Sequence, residues 1–428
     1  MRVLVVSHNV FSETESMGRT LASYFAGWDK NEIAQFYIHS EVPTSDVCEN
    51  YFNITDKQAI KSIFTRKCGS ILTKENIQLG RNGTRIDEGL TAKIYQKARR
   101  RTPLIYLARN IIWKLSGWKN RKFKKWIDDF DPQVVFFASG DYAFMYRIAR
   151  WISKYKKIPL VVSCMDDYYF QNKNSKKFLG KITYGLFMKQ VRKTMKSASA
   201  ILSICDKMTS DYSALFGIPC YTLHTPSTFD GPLKGDKKKQ ICYLGNLGFQ
   251  RYNQLVEIGR TLKEIDHPEL PKYIDVYSSE SRPEVVSLLS EENGIVFHGS
   301  IPYDQVKQVV ADSLAVIHTE SFDEGIRKSI RYSVSTKIAD SLASGTCLFV
   351  YGPSDVASIE YVTTQNSAIV ATSKDQLSEK LLSLVTDRAK VNMVIDNAIN
   401  LSKKNHKVNQ ALKLISHVLD GVFNKQNV

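Results

Sequence analysis

Between residues 333 and 351 the chain reads SVSTKIADSLASGTCLFVY, a Ser-Thr-Lys triplet followed by one carboxylate, a glycine and an apolar run. Ser335 and Thr336 offer hydroxyl donors, and Lys337 adds a full positive charge. The pattern predicts a helix over 333–345. Its first turn exposes unpaired N–H groups and the positive end of the dipole, which suit a phosphate. Asp340 lies three residues after Lys337 and four after Thr336, so all three share one helical face. A carboxylate one turn from a phosphate can accept hydrogen bonds from a ribose diol, and the set describes a nucleotide diphosphate site. The same letters also read as a capped core helix, with Ser335 as the cap and Ile338 and Leu342 facing inward.

Other residues with chemical potential recur at the ends of apolar runs. Tyr243-Leu244-Gly245-Asn246-Leu247-Gly248 follows one such run, with Arg251 just beyond. Glycines allow close backbone approach to a ligand, and a guanidinium can fork onto phosphate oxygens. His318-Thr319-Glu320-Ser321 ends another, ahead of an expected polar loop, Phe322–Arg331. In the first half, Asp166 and Asp167 follow the run Leu160–Cys164, where a carboxylate could handle an acceptor hydroxyl or simply cap a turn. Adjacent residues point in different directions, so one of the two at most should reach a reacting centre. His8, in the loop after the first apolar run, could bind phosphate or acceptor, or merely pack.

The elements that must position these residues alternate. Short strand-like runs at 2–6, 134–138, 160–164, 200–205 and 220–224 are separated by helical stretches at 18–25, 142–155, 176–197 and 208–216. After the turn-rich, charged stretch Gly231–Lys239 the alternation resumes. Strands are expected at 241–244, 273–277, 295–298, 314–318 and 348–351, and helices at 253–265, 283–291, 303–311, 376–385, 387–403 and 405–423. Strand–helix alternation predicts parallel sheets with right-handed crossovers, hence an α/β protein of two doubly wound domains. The expected division is 1–232, 233–404 and a terminal helical segment 405–428 that could pack back on the first domain. Ligands are expected in a central cleft that the two domains face.

Charge is placed unevenly. The formal net charge of +16 is carried by the first 232 residues, and the remainder is neutral. Within 89–127 there are twelve basic residues and no acidic one, interleaved with large apolar side chains that include Trp113, Trp118, Phe123 and Trp126. That composition fits an interfacial segment on anionic lipid, or a solvated basic helix packed on its own domain. No zinc-finger or RNA-binding motif accompanies it, so nucleic acid is not an expected partner. Seven scattered cysteines without CxxC spacing argue for a reducing compartment. No apolar run is long enough to span a bilayer. The expectation is a cytoplasmic protein, peripheral on the inner face of the cell membrane.

The order of landmarks in the second half resembles the donor-binding domain of GT-B glycosyltransferases, specifically the retaining family 4 group. The matching stretches are Tyr243–Gly248 with Arg251, Val296-Phe297-His298-Gly299, Ala315–Ser321, and Ser333–Gly345 followed by Leu348–Pro353; together they span most of 241–371. The resemblance implies a GT-B fold of two Rossmann-like domains, with acceptor binding in the first and nucleotide-sugar binding in the second. It implies that Arg251 and the Ser335-Thr336-Lys337 turn bind donor phosphate, with Gly245, Asn246, His318 and Glu320 in the same donor site. Asp340 falls where the family places the second glutamate of a Glu-x7-Glu pair, which accepts the ribose hydroxyls. The first glutamate would fall at Tyr332 and is missing; Glu320, Asp323 and Glu324 are the nearby acids that could substitute.

The implied activity is transfer of a sugar from a UDP-type nucleotide sugar to a hydroxyl acceptor, with retention of configuration, no metal and no other cofactor. With the basic segment, the expected acceptor is a lipid-linked saccharide in bacterial surface-polysaccharide synthesis, at an anionic membrane. A nucleotide-sugar epimerase of the same fold and a catalytically silent nucleotide-binding scaffold are the alternatives.

Overall fold

The computed structural model describes residues 1–428 apart from 14–15, 73–76, 78–101, 171–177, 237–239 and 427–428, so the 89–101 part of the basic segment lies outside the described residues. The chain divides into two compact units, Met1–Leu223 with Ala411–Val428, and His224–Gln410.

The first unit is built on an eight-stranded sheet. Its strands are β1 (Val3–Ser7), β2 (Ile33–Tyr37), β3 (Asn50–Asn53), β4 (Ser70–Ile71), β5 (Val134–Ala138), β6 (Leu160–Cys164), β7 (Ala200–Ser203) and β8 (Cys220–Thr222). They lie in the order β4-β3-β2-β1-β5-β6-β7-β8, and every pair is parallel except β3 with β4. The helices are α1 (Ser16–Ser23), α2 (Asp56–Thr65), α3 (Pro103–Leu115), α4 (Arg121–Phe130), α5 (Ala143–Lys156), α6 (Phe178–Met195) and α7 (Asp206–Phe216). Strands such as β1 (VLVVS) and β5 (VVFFA) are buried along their length, as a parallel sheet covered on both faces requires. β2 escapes an apolar-run reading because Gln35 sits at its centre. That side chain is fully buried and satisfied: it accepts from the Phe11 N–H at 3.0 Å and donates to Ser7 Oγ at 2.8 Å. It thereby ties down the loop after β1.

The aromatic residues at 113–126, which composition assigns equally well to a membrane face, are core. Trp113 and Phe123 have no exposed surface, Trp118 and Trp126 are buried, and Trp113 stacks on Phe144 with centroids 4.5 Å apart. The terminal segment completes the same unit. Ala411, Ile415, Val418 and Leu419 belong to the cluster that holds Val3, Phe25 and Phe136.

The second unit carries β9 (Gln240–Leu244), β10 (Ile274–Tyr277), β11 (Ile295–Gly299), β12 (Ser313–Thr319), β13 (Cys347–Tyr351) and β14 (Ile369–Ala371), all parallel, in the order β11-β10-β9-β12-β13-β14. Its helices are α8 (Arg251–Glu264), α9 (Pro283–Val286), α10 (Tyr303–Ala311), α11 (Glu324–Ile330), α12 (Thr336–Ala343), α13 (Ala357–Thr364), α14 (Leu377–Thr386) and α15 (Arg388–Asn405). A last helix, α16 (Val408–Gln426), leads the chain back to the first unit. Two expectations need correcting. The stretch 322–331 is not a loop but contains α11, started by Asp323, whose carboxylate accepts from the Ile326 N–H at 2.9 Å. The helix expected over 283–291 stops at Val286, and a short 3-10 turn at Glu291–Asn293 follows. Among the described residues no helix is long and apolar enough to cross a membrane.

Leu419 has no exposed surface, so Leu419→Ala should cost about 2–5 kcal/mol. The expected outcome is a lower urea midpoint for the first unit; an unchanged midpoint would show that α16 is not part of its core.

Candidate functional site

In each sheet the strand order reverses direction once, between β1 and β5 in the first unit and between β9 and β12 in the second. At such a reversal neighbouring crossovers leave on opposite faces, which opens a crevice at the C-terminal strand ends where ligands bind. The residues singled out in the second half gather at this place. β9 ends at Leu244 and delivers Gly245; β12 ends at Thr319 and delivers Glu320; Arg251 opens α8.

The centre of the group is a buried ion pair. Glu320 has no exposed surface, and Arg251 grips its carboxylate with Nε 3.1 Å from Oε2 and Nη2 3.0 Å from Oε1. Arg251 Nε also donates to the Thr319 carbonyl at 3.2 Å. His318 Nε2 lies 3.4 Å from Oε1, an ion-pair contact, but this buried nitrogen makes no aligned hydrogen bond. Burial alone would push the Glu320 carboxyl up, but His318 and Arg251 outweigh it and hold the group below its ordinary range. Burial likewise works against the Arg251 charge, and the Glu320 carboxylate more than restores it.

Lys337 is the uncompensated charge of the group. The residue is exposed along its stem, but its ammonium is crowded by protein atoms: a Cβ built on Gly245 would come within 2.6 Å of Nζ. A side chain at 245 would push the ammonium aside. Desolvation and then the Arg251 charge push its pKa down, only partly opposed by Asp340. Among the described residues Lys337 makes no ion pair. Tyr243, which by sequence is simply part of a strand, has its hydroxyl bonded to the Asn246 carbonyl at 2.7 Å and beside the same glycine. Asn246 is exposed, and its side chain caps the turn by accepting from the Gly248 N–H. The turn then passes Phe249 and Gln250, both left-handed at φ 57°, before α8 begins without a side-chain cap. Two consecutive non-glycine residues in that region are unusual, and such strain is concentrated at functional sites.

Ser335 is the N-cap of α12 and accepts from the Lys337 N–H at 3.3 Å; Thr336 is the first helical residue and is exposed. Asp340 is already engaged. Its Oδ1 accepts from Ser227 Oγ at 3.0 Å, the Thr228 N–H at 2.7 Å and Thr228 Oγ1 at 2.9 Å. Ser227 and Thr228 carry no signal in the sequence, since the contact spans over a hundred residues. Tyr332, where the first glutamate would fall, is buried. Asp323 serves as the cap of α11 and Glu324 pairs with Lys328 at 2.6 Å, so neither belongs to the Glu320–Lys337 group.

The residues singled out in the first half lie in the other unit. His8 follows β1 at its switch point, edge-on to Tyr142 with centroids 4.7 Å apart, and packed where a Cβ on Gly140 would stand 1.9 Å from its ring. Asp167 is buried, and its Oδ1 holds the turn after β6 by accepting from the Tyr169 and Phe170 N–H groups at 2.9 Å and from Tyr212 Oη at 2.8 Å. Asp166 is half-buried and accepts from the Asp167 N–H at 2.8 Å. Asp129-Phe130-Asp131 has the Asp-x-Asp spelling of a metal-diphosphate motif. Its carboxylates pair with Lys125 at 2.9 Å and with Lys156 at 2.9 Å, at the end of α4.

Because the folded Glu320 pKa lies below its unfolded value, its ionisation stabilises the fold above the unfolded carboxylate pKa, about 4.3. That contribution is lost as pH falls through the lower folded value. Glu320→Gln should therefore cost about 3 kcal/mol near neutral pH, because it leaves Arg251 without its counter-charge, and much less in acid. Denaturant unfolding of both proteins across that range measures the gap; a gap independent of pH would refute the ionised pair.

Residues 261–416 match the family model described as glycosyl transferase-like. No curated protein matches the chain by sequence. Among solved structures the chain is similar to Alr3699/HepE of Anabaena in complex with UDP, with a TM-score of 0.60 and 11% identity over 98% of this chain and 100% of that one. It is also similar to a sucrose-phosphate synthase from Thermosynechococcus elongatus, with a TM-score of 0.58 and 8% identity over 99% and 100% of the two chains. An α,α-trehalose-phosphate synthase (UDP-forming) from Burkholderia xenovorans gives a TM-score of 0.57 at 10% identity over 98% and 100%. At these identities the structural likeness establishes the fold, and the family match adds the class of domain. Two doubly wound units and the shared architecture give the chain a GT-B fold, and residues 261–416 of it carry a glycosyl transferase-like domain.

Proposed function

We propose that the protein transfers a sugar from UDP-sugar to a hydroxyl acceptor, with retention of configuration, as in the retaining family 4 group. The observation that carries the donor half is the Lys337 ammonium: desolvated, without a carboxylate partner among the described residues, and seated over a glycine at the switch point of the sheet. A diphosphate supplies the missing anion. HepE is described in complex with UDP and with UDP-glucose, which supports UDP as the nucleotide.

In this reading Lys337, the open N-terminus of α8 and the hydroxyls of Ser335 and Thr336 take the diphosphate. Arg251 adds positive potential that Glu320 partly neutralises, so Arg251 positions more than it binds. All three hydrogen bonds to Asp340 fall on Oδ1, which leaves Oδ2 for a ribose diol. His318 Nε2, buried and without an aligned hydrogen bond, is directed to the transferred sugar or its phosphate, and Gly245 and Asn246 line the approach. During transfer the anomeric C–O bond to diphosphate breaks, a bond to the acceptor oxygen forms, and the hydroxyl proton passes to the departing diphosphate oxygen, so that UDP leaves carrying it. Cationic groups at the leaving diphosphate do what a metal does elsewhere, so no metal is assigned. Acceptor binding is assigned to the first unit, with His8 and Asp166 as its polar groups. Asp167 is committed to its turn. The basic first unit favours an acceptor at an anionic surface, such as a lipid-linked saccharide in surface-polysaccharide synthesis on the inner face of the membrane.

UDP should raise the melting temperature of the wild type, because a ligand of the native state stabilises it. Lys337→Ala and Gly245→Ala should each lose most of that shift, the second by displacing the ammonium. A full shift in both variants would refute the phosphate placement. UDP release from UDP-sugar only when an acceptor is supplied marks a transferase; release without one, or none at all, would favour the epimerase or the silent scaffold.

A further inference from the structure

The turn between α3 and α4 borders an open pocket of about 500 Å³ that the donor site does not use. Arg66, Lys114, Lys119 and Arg147 line it, over a floor of Trp113 and Trp118, with no acidic residue in its wall. Among the described residues none of the four cations meets a carboxylate. Arg66 Nη1 donates to the Leu115 carbonyl at 3.1 Å, Arg147 Nη2 reaches the Asn110 carbonyl at 3.5 Å, and Lys119 Nζ sits 5.1 Å from the Trp118 ring centre. The cations are held together by packing against their own repulsion. Desolvation lowers the pKa of Arg147, and desolvation followed by the charges of Arg147 and Lys124 lowers that of Lys119. A multiply charged anion would relieve this.

The surface beside the pocket is apolar. α3 packs between α2 and α6, and each of the three presents large hydrophobic residues to solvent at helical spacing. α2 exposes Ile60 and Phe64, the latter 88% exposed, two residues before Arg66. α3 exposes Leu104, Ile111 and Leu115, the last between pocket residues Lys114 and Ser116. α6 exposes Phe178 at 79%, with Ile182 and Leu186 one and two turns on. These helices carry eight basic residues and one acid, Asp56, which Arg109 and Trp113 already bind. An apolar face with a cationic, acid-free margin is complementary to anionic lipid, where side chains enter the acyl boundary and cations meet phosphate.

We propose that the α3–α4 pocket binds the headgroup phosphate of an anionic phospholipid while the exposed faces of α2, α3 and α6 dock in the bilayer surface. The inference deepens the anionic-surface reading of the proposed function and stands apart from the donor chemistry, since every residue it uses is in the first unit.

The test is co-sedimentation of the full chain with phosphatidylcholine vesicles, with and without about 30 mol% phosphatidylglycerol. The wild type should bind the anionic vesicles at least about tenfold more strongly than the neutral ones. Lys114→Glu with Lys119→Glu, and separately Phe64→Ser with Phe178→Ser, should each lose about tenfold on anionic vesicles. Both double variants should keep the wild-type melting temperature and its response to UDP. Equal binding to the two vesicle types, or full binding by the charge-reversed variant, would overturn the proposal. So would protection by inorganic phosphate without vesicle binding, which would mark a site for a free anion. A wild-type dimer in light scattering that Phe64→Ser with Phe178→Ser dissociates would also overturn it, by assigning the face to a second copy.

Discussion

A carboxylate removed from water loses several kcal/mol of solvation, and the loss is recovered only when charges and hydrogen bonds meet it in good geometry. Glu320 is in that position at the end of β12. Its two oxygens are matched by the planar fork of Arg251, and the match fixes where α8 starts relative to the sheet. The strained turn at Phe249 and Gln250 is held in place by the next residue, since Arg251 must point back to the carboxylate. With Arg251 so occupied, Lys337 becomes the one cation of the group whose charge is unanswered. The pair therefore does more than hold the unit together: it decides which positive charge of the group is left without a carboxylate.

Much of this end of the molecule was legible in the sequence. Apolar runs located the strands of the second unit, and the residues just past them are those that meet at the switch point. The Ser335-Thr336-Lys337 triplet read correctly as a helix start because a cap, a helix former and a glycine stop are local signals. Partnerships were not legible. Arg251 had the look of a phosphate ligand, and nothing local reveals that a buried acid 69 residues away holds it. Asp340 is similarly committed to Ser227 and Thr228. Long-range contacts between polar residues leave no periodicity, and so no trace in a single sequence.

The first unit was harder to read for a related reason. β2 carries a buried glutamine that accepts from the loop after β1, and β3 is bounded by asparagines bonded to the Tyr37 carbonyl of β2 and to the Trp126 indole of α4, so neither strand shows a purely apolar pattern. The basic, aromatic stretch at 113–126 misled in the opposite direction. Its spacing is that of an amphipathic helix, but the indoles face the core, and the residues left outside are aliphatic ones on α3 together with phenylalanines on α2 and α6. Helical periodicity tells which residues share a face. It does not tell which face is turned to water when two neighbouring helices divide the work.

The return of α16 to the first unit has a consequence for the order in which the molecule is made. Ile415 and Leu419 leave the ribosome after every strand of the second unit, yet they belong to the core around Val3 and Phe136. The second unit, complete by Gln410, holds all of its own strands before then. Domains usually mature from the N-terminus during synthesis. Here the unit that begins first must wait for α16 to complete its core. The second unit thus has all of its strands before the basic first unit can close over α16.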